Sequence, residues 1–308
     1  ITMSINKEGN GYTLTFAIIM VAVVGGLLAF IASSLKPLQQ ENVKNEKMQN
    51  ILQAIGIEET AEVSRDEAGA MFNNYITERI VLDYDGNVLQ KYTNEDPIKE
   101  KDNLDAFNVD VRKYYNDLTG LMKKYPEGGA EYEAGLKEEG ITYPMFVCEK
   151  EGEKYYITYF SGKGLWDDIW GYISLKEDGR TINGSVFDHK GETPGLGSKI
   201  TEEIFNKDFL GKVITNEENE YRPIKVLKPG LERKNYEVQG LSGATFTHVG
   251  VEEMMKRSLA VYSKYFKNNL TSKIEPIETS VDSTMIMDST YVDSINTMVD
   301  ENPVLATK

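Results

Sequence analysis

Residues 14–32 form a nearly unbroken apolar run with Thr15 as its one polar member, and no charged residue stands between Glu8 and Lys36. A helix of that length crosses a hydrocarbon core of about 30 Å. The run exceeds the apolar part of a cleaved leader, about 7–15 residues, and no clear small-x-small site follows it, so a retained anchor over 13–35 is expected after a short segment 1–12. Next, Val43, Lys47, Met48, Ile51, Leu52 and Ile55 recur at helical spacing as far as Gly56, which predicts a stalk helix and linker over 36–62.

The pattern then shortens. Ser64-Arg65-Asp66-Glu67 is a capping box for a short helix, and Asp85-Gly86 reads as a turn between strand-like runs around Ile80 and Val88. A charged stretch near 95–140 predicts a helical insertion broken at Pro126-Glu127-Gly128-Gly129. From Pro144 the runs 155–160, 169–175 and 181–187 predict strands, separated by Ser161-Gly162-Lys163-Gly164 and Glu177-Asp178-Gly179. Val251, Met255, Leu259, Tyr262 and Phe266 then mark an amphipathic helix. Strands closed by a helix indicate an α+β domain over 63–268. The remaining 269–308 alternate Thr, Ser, Asp and Glu with isolated apolar residues, a texture expected to be disordered or partner-dependent.

Composition narrows the function. A net charge of -15 over 308 residues argues against sequence-independent binding to nucleic acid, which needs clustered lysine and arginine. The single cysteine, Cys148 in Met145-Phe146-Val147-Cys148, reads as a buried strand thiol and leaves no multi-thiolate metal or iron–sulfur site. The two histidines, His189 and His248, lack zinc-ligand spacing, so no metal site is expected. Orientation stays open. Lys7 precedes the span while Lys36, Lys44 and Lys47 follow it, which leans towards an inside C-terminal domain, but long domains cross regardless of such counts.

Three motifs carry the chemistry. Gly240-Leu241-Ser242-Gly243-Ala244-Thr245-Phe246-Thr247 puts hydroxyls among minimal side chains at a helix start, where free amides and the dipole favour an anion such as phosphate; plain N-capping uses the same residues. Glu252 and Glu253 fit the first helical turn on the same grounds. Gly164-Leu165-Trp166, with Trp170 beyond it, offers either a flat wall for an aromatic ring or an ordinary core tryptophan. Gly191-Glu192-Thr193-Pro194-Gly195-Leu196-Gly197 is a tight loop whose amides and Thr193 hydroxyl suit a polar ligand edge, or a surface turn.

In order and spacing these motifs resemble the C subunits of the bacterial sodium-translocating NADH:quinone reductases, a likeness that runs from about Tyr12 to Phe266 and includes Ile51-Leu52-Gln53-Ala54-Ile55-Gly56-Ile57. The resemblance implies a single-pass protein of the bacterial cytoplasmic (inner) membrane with its FMN-binding domain on the periplasmic side. It implies FMN joined by a phosphoester to Thr245, Ser242, Gly243 and Ala244 at the phosphate end, and Trp166, Leu165, Glu192, Thr193, Leu196 and Gly197 around the ring. A flavin transferase would install the group from FAD. The protein, not catalytic alone, would relay electrons among other membrane and redox subunits within the lipid bilayer; no residue is catalytic and none binds metal. NADH oxidation belongs elsewhere, since no Gly-x-Gly-x-x-Gly follows a strand. Two departures stand out: Gln239 occupies the place of a family aspartate, and His248, often serine in relatives, is expected to face solvent. Thr247 is the second candidate acceptor. The G subunits of the related ion-translocating ferredoxin:NAD reductases and a non-redox membrane-anchored binding module are the alternatives.

Overall fold

The computed structural model describes residues 10–56, 65–99, 101–125 and 129–270. The capping serine at 64, the break at 126–128 and the tail from 271 lie outside them. Helix α1 (Asn10–Ala54) is continuous, with Pro37 inside it. Its apolar stretch buries nothing against the protein, as a membrane anchor requires. Its last turns do the opposite. Met48, Ile51, Leu52 and Ile55 are buried in the domain core, so the expected stalk is part of the fold. Burying side chains of this size contributes about 1.5–3 kcal/mol each. Ser174 donates its hydroxyl to the Ala54 carbonyl, satisfying one of the orphan acceptors at the helix end.

After α2 (Arg65–Tyr75) come β1 (Ile76–Leu82) and β2 (Val88–Thr93), joined by the expected turn at Asp85-Gly86. The insertion holds α3 (Val111–Lys124) and α4 (Ala130–Glu138), and then follow β3 (Tyr143–Lys150), β4 (Glu153–Lys163), β5 (Asp168–Leu175) and β6 (Ile182–His189). These six strands form one antiparallel sheet in the order β2-β1-β3-β4-β5-β6. A short helix α5 (Glu203–Lys207) and a parallel pair, β7 (Lys225–Leu227) with β8 (Glu237–Gln239), lead into α6 (Thr245–Leu270). Mixed α and β elements behind one apolar helix are the architecture expected from the sequence.

Both faces of the sheet are covered. Phe146, Ile157, Tyr159 and Tyr172 meet the end of α1 and Phe72 of α2 on one side. Met145, Phe160, Ile173 and Phe187 meet Val251, Met255, Leu259, Tyr262 and Phe266 of α6 on the other. Hence β3 is buried at six consecutive positions and reads as a continuous apolar run. Cys148 lies within it as expected, and burial pushes its thiol up to about 12. One boundary differs: Ser161, Gly162 and Lys163, expected as a turn, continue β4, and the turn falls on residues 164–167. The insertion also differs: 95–99 and 101–110 are irregular, and its helices among the described residues are α3 and α4.

That segment is fastened by a buried ion pair. Arg79 of β1 donates Nε to Asp105 Oδ1 at 3.0 Å and Nη2 to Oδ2 at 3.0 Å, and bonds the carbonyls of Thr93 and Asp96 at 3.0 and 2.9 Å. Asp105 also accepts the Phe107 amide at 2.9 Å. This turn brings Phe107 over Lys47, whose ammonium donates to the Phe107 carbonyl at 2.6 Å between the rings of Phe107 and Tyr159. Desolvation lowers the Lys47 pKa to about 7, against the pull of Asp110. Lys47 is therefore a packed residue rather than one of the free charges flanking the span.

Asp105→Ala strands a buried guanidinium and is expected to lower unfolding stability by about 3–5 kcal/mol, measured by urea unfolding. A lysine with a lowered folded pKa binds fewer protons folded than unfolded, so its contribution to stability rises as pH climbs from about 7 towards 10.5. Lys47→Met is expected to flatten that part of the thermal midpoint-against-pH curve.

Candidate flavin site

α6 lies directly on the end of β4. A Cβ on Gly162 would come within 2.8 Å of the Met254 Cβ, and one on Gly250 would strike the Lys163 carbonyl, so glycine at both positions permits the approach. This contact sets the N-terminus of α6 beside the β4–β5 turn, where Gly164-Leu165-Trp166 sits. The loop 191–197 leaves the neighbouring strand β6 and closes the third side.

Glu192 joins all three. Its carboxylate accepts the Trp166 amide at 2.9 Å and the Asp167 amide at 3.4 Å on one oxygen, and the Thr247 hydroxyl at 2.5 Å on the other. Its own amide donates to His189 Nδ1 at 3.3 Å. Only 4% of Glu192 is exposed. Burial would raise its pKa, but the bonds from Thr247 and from the amides of residues 165–167 outweigh burial and hold it below the usual carboxylate value. Gly164 and Gly197 make room for this side chain and its partner: a Cβ on the first would lie 2.5 Å from Glu192 Oε1, and one on the second 2.6 Å from Thr247 Oγ1. The sequence reading places Glu192 along the ligand ring. Its carboxylate instead points inward and frames the site.

Trp166 is 66% exposed, with its indole N–H donating to Thr193 Oγ1 at 3.0 Å. Leu196 reaches across to the 242–245 turn, where a Cβ on Gly243 would meet its Cδ2 at 2.9 Å. In that turn Ala244 packs inward, while Ser242, Gly243 and Thr245 are exposed. The amide of His248, bonded to the Ala244 carbonyl at 3.0 Å, is the first to find its helical acceptor. The amides of Thr245, Phe246 and Thr247 therefore stand at the open, positive end of a 26-residue helix. Leu165, Leu196, Phe246 and Val249 add exposed apolar surface around it. The residues singled out from sequence thus converge on one place.

Three details differ from expectation. Glu252 and Glu253 lie beyond the first turn of α6, and Glu252 Oε2 accepts the Val226 amide at 2.7 Å instead. His248 does not face solvent; it is 4% exposed against Gly240, where a Cβ would lie 2.9 Å from its Nδ1, and burial lowers its pKa. Thr247 is buried and its hydroxyl is committed to Glu192, so Thr245 is the exposed threonine. Sequence reasoning misses Phe246 and Val249. A signal for them exists, since both are large apolar residues lying off the stripe that α6 buries. At Gln239, a carboxylate does stand nearby: Asp208, paired with Arg233, accepts the Gln239 amide at 2.5 Å.

Comparison with known proteins agrees with this geometry. Residues 164–260 match the family described as FMN-binding domain. The C subunit of the Na(+)-translocating NADH-quinone reductase of Haemophilus ducreyi is 28% identical over 254 residues, covering 82% of this chain and 90% of its own. That of Pseudomonas aeruginosa is 29% identical over 255 residues, covering 81% and 91%. The crystal structure of Shewanella oneidensis NqrC shares the fold, with a TM-score of 0.52 at 22% identity over 74% of this chain and 98% of that one. The crystal structure of the Na(+)-translocating NADH-quinone reductase C subunit from Parabacteroides distasonis aligns with a TM-score of 0.59 at 33% identity, over 75% of this chain and 96% of that one. By that identity and coverage, this chain belongs to the family of Na(+)-translocating NADH-quinone reductase C subunits.

Proposed function

We propose that this chain carries FMN as a phosphoester on Thr245 and relays electrons between other redox subunits of a Na(+)-translocating NADH-quinone reductase. The observation that carries the reading is the pairing of an exposed Thr245 at the N-terminus of α6 with a buried, committed Thr247. The residues fit the group: unpaired amides and the helix dipole meet a phosphate charge, and the glycine at 243 leaves the turn free of side-chain bulk. When bound, FMN supplies the one-electron chemistry. Trp166 and Leu196 would flank its ring, Thr193 would offer a polar edge, and Glu192 would hold the three loops in register.

Maturation needs a flavin transferase with FAD as donor. Transfer would join the Thr245 oxygen to the FMN phosphorus, with AMP leaving from the broken pyrophosphate link and the hydroxyl proton passing to solvent. α1 anchors the chain as a single-pass protein, with lipid around 14–32, in the bacterial inner membrane; the domain lies on the periplasmic side. Na(+) movement falls to the partner subunits, because one apolar helix without charges cannot line a hydrated path.

Intact-mass measurement on chain co-expressed with the transferase should show an FMN-sized addition that disappears in Thr245→Ala and persists in Thr247→Ala. Addition that survives Thr245→Ala and vanishes in Thr247→Ala would move the attachment site. For Glu192→Ala we expect a stability loss of about 1–3 kcal/mol together with reduced flavin loading, read from denaturation and from in-gel fluorescence. Because the Glu192 pKa is lowered, its wild-type contribution is complete above the ordinary carboxylate range and lost as pH falls through the depressed value. Loss of the acid limb in the variant is the check.

A further inference from the structure

Away from the flavin loops, α3, β3, β4 and α6 line a cavity of about 30 Å³, walled in part by Tyr114, Tyr115, Thr142, Tyr143, Arg257 and Ser258. By the measure in which one water needs about 10–15 Å³, it accommodates two or three water-sized groups in all, the size of formate. Arg257 reaches it from α6, on the order of 18 Å along the helix from Thr245. Its guanidinium has five N–H donors. Among the described residues it makes one hydrogen bond, to the Ser161 carbonyl at 3.4 Å, and no ion pair. Tyr115 lies with its ring 5.4 Å from Cζ. Glu253, one turn back on the helix, is drawn to Lys256 at 3.9 Å. Arg257 is half-buried, and burial lowers its pKa against the pull of Tyr115 and Glu253.

An independent observation points into the same space. Thr142 is 9% exposed, and its buried Oγ1 has no hydrogen-bond partner among the described residues. In a chain with 49 Asp and Glu, none of the described residues lining this cavity is acidic. A water there satisfies Thr142 and leaves most of the guanidinium donors unused. A planar anion satisfies both, because a guanidinium fork matches the two oxygens of a carboxylate.

We propose that this cavity binds a small carboxylate anion of formate size, paired with the Arg257 guanidinium and accepting the Thr142 hydroxyl. Its occupant ties the insertion helix α3 to α6, the helix that begins at Thr245. Binding to the folded state alone stabilises it by mass action. The site needs no flavin chemistry, so it stands or falls independently of the proposed electron relay.

The test uses the full flavin-loaded chain in detergent, titrated with sodium formate or sodium chloride at matched ionic strength and pH. The readouts are the thermal midpoint and saturation transfer to the formate proton. We expect a saturable rise with formate that chloride does not reproduce. Arg257→Gln should weaken formate binding on the order of tenfold or more, and the near-isosteric Thr142→Val several-fold. Equal shifts with chloride and formate, or a formate response that survives Arg257→Gln, would overturn the proposal. Should Arg257→Gln fail to fold, an undiminished response in Thr142→Val overturns it instead.

Discussion

A carboxylate withdrawn from water is costly unless every lone pair is answered, and the flavin face is organised around one such group. Glu192 takes two amides from the β4–β5 turn and a hydroxyl from the first turn of α6, while its backbone rests on β6 through His189. Three segments far apart in sequence are thereby held by one side chain. None can shift without leaving a buried charge short of a partner, a loss larger than the bond itself is worth. The glycines at 164 and 197 follow from this requirement, since the carboxylate and the hydroxyl it holds occupy the space their side chains would fill.

The same economy of space fixes the larger geometry. Gly162 on β4 and Gly250 on α6 let a helix sit almost on the backbone of a strand, so the helix end arrives beside the tryptophan turn. With bulkier residues the helix would stand off, and Thr245 would move away from Trp166 and Leu196. The candidate site is thus shaped as much by absent side chains as by present ones.

Much of this is legible in the sequence. The strands announce themselves as short apolar runs because both faces of the sheet are covered, and α6 by its stripe from Val251 to Phe266. The three motifs are legible because small residues cluster where backbones and ligands must come close. What escapes is whatever depends on a distant partner. Glu192 looks like a polar loop residue until Thr247, 55 positions later, is placed against it. His248 looks exposed beside polar neighbours, yet the close approach of Gly240 covers it. Lys47 reads as a flanking charge until the Arg79–Asp105 pair draws Phe107 over it. The end of β4 is hidden for a local reason: residues 161–163 have turn-like composition but extend a strand whose neighbour supplies the ladder.

The unbroken helix from Asn10 to Ala54 has a mechanical meaning. A domain hung from a slack tether explores many orientations at little cost, and its cofactor can swing between donors. Here the last turns of the anchor are core residues of the domain itself, so the helix end and the domain turn together. What freedom the tether keeps lies further up, around Pro37, which offers no amide to the helical ladder. The face bearing Thr245 changes its bearing only as the helix turns, tilts or bends there, so neighbouring proteins meet it from few directions.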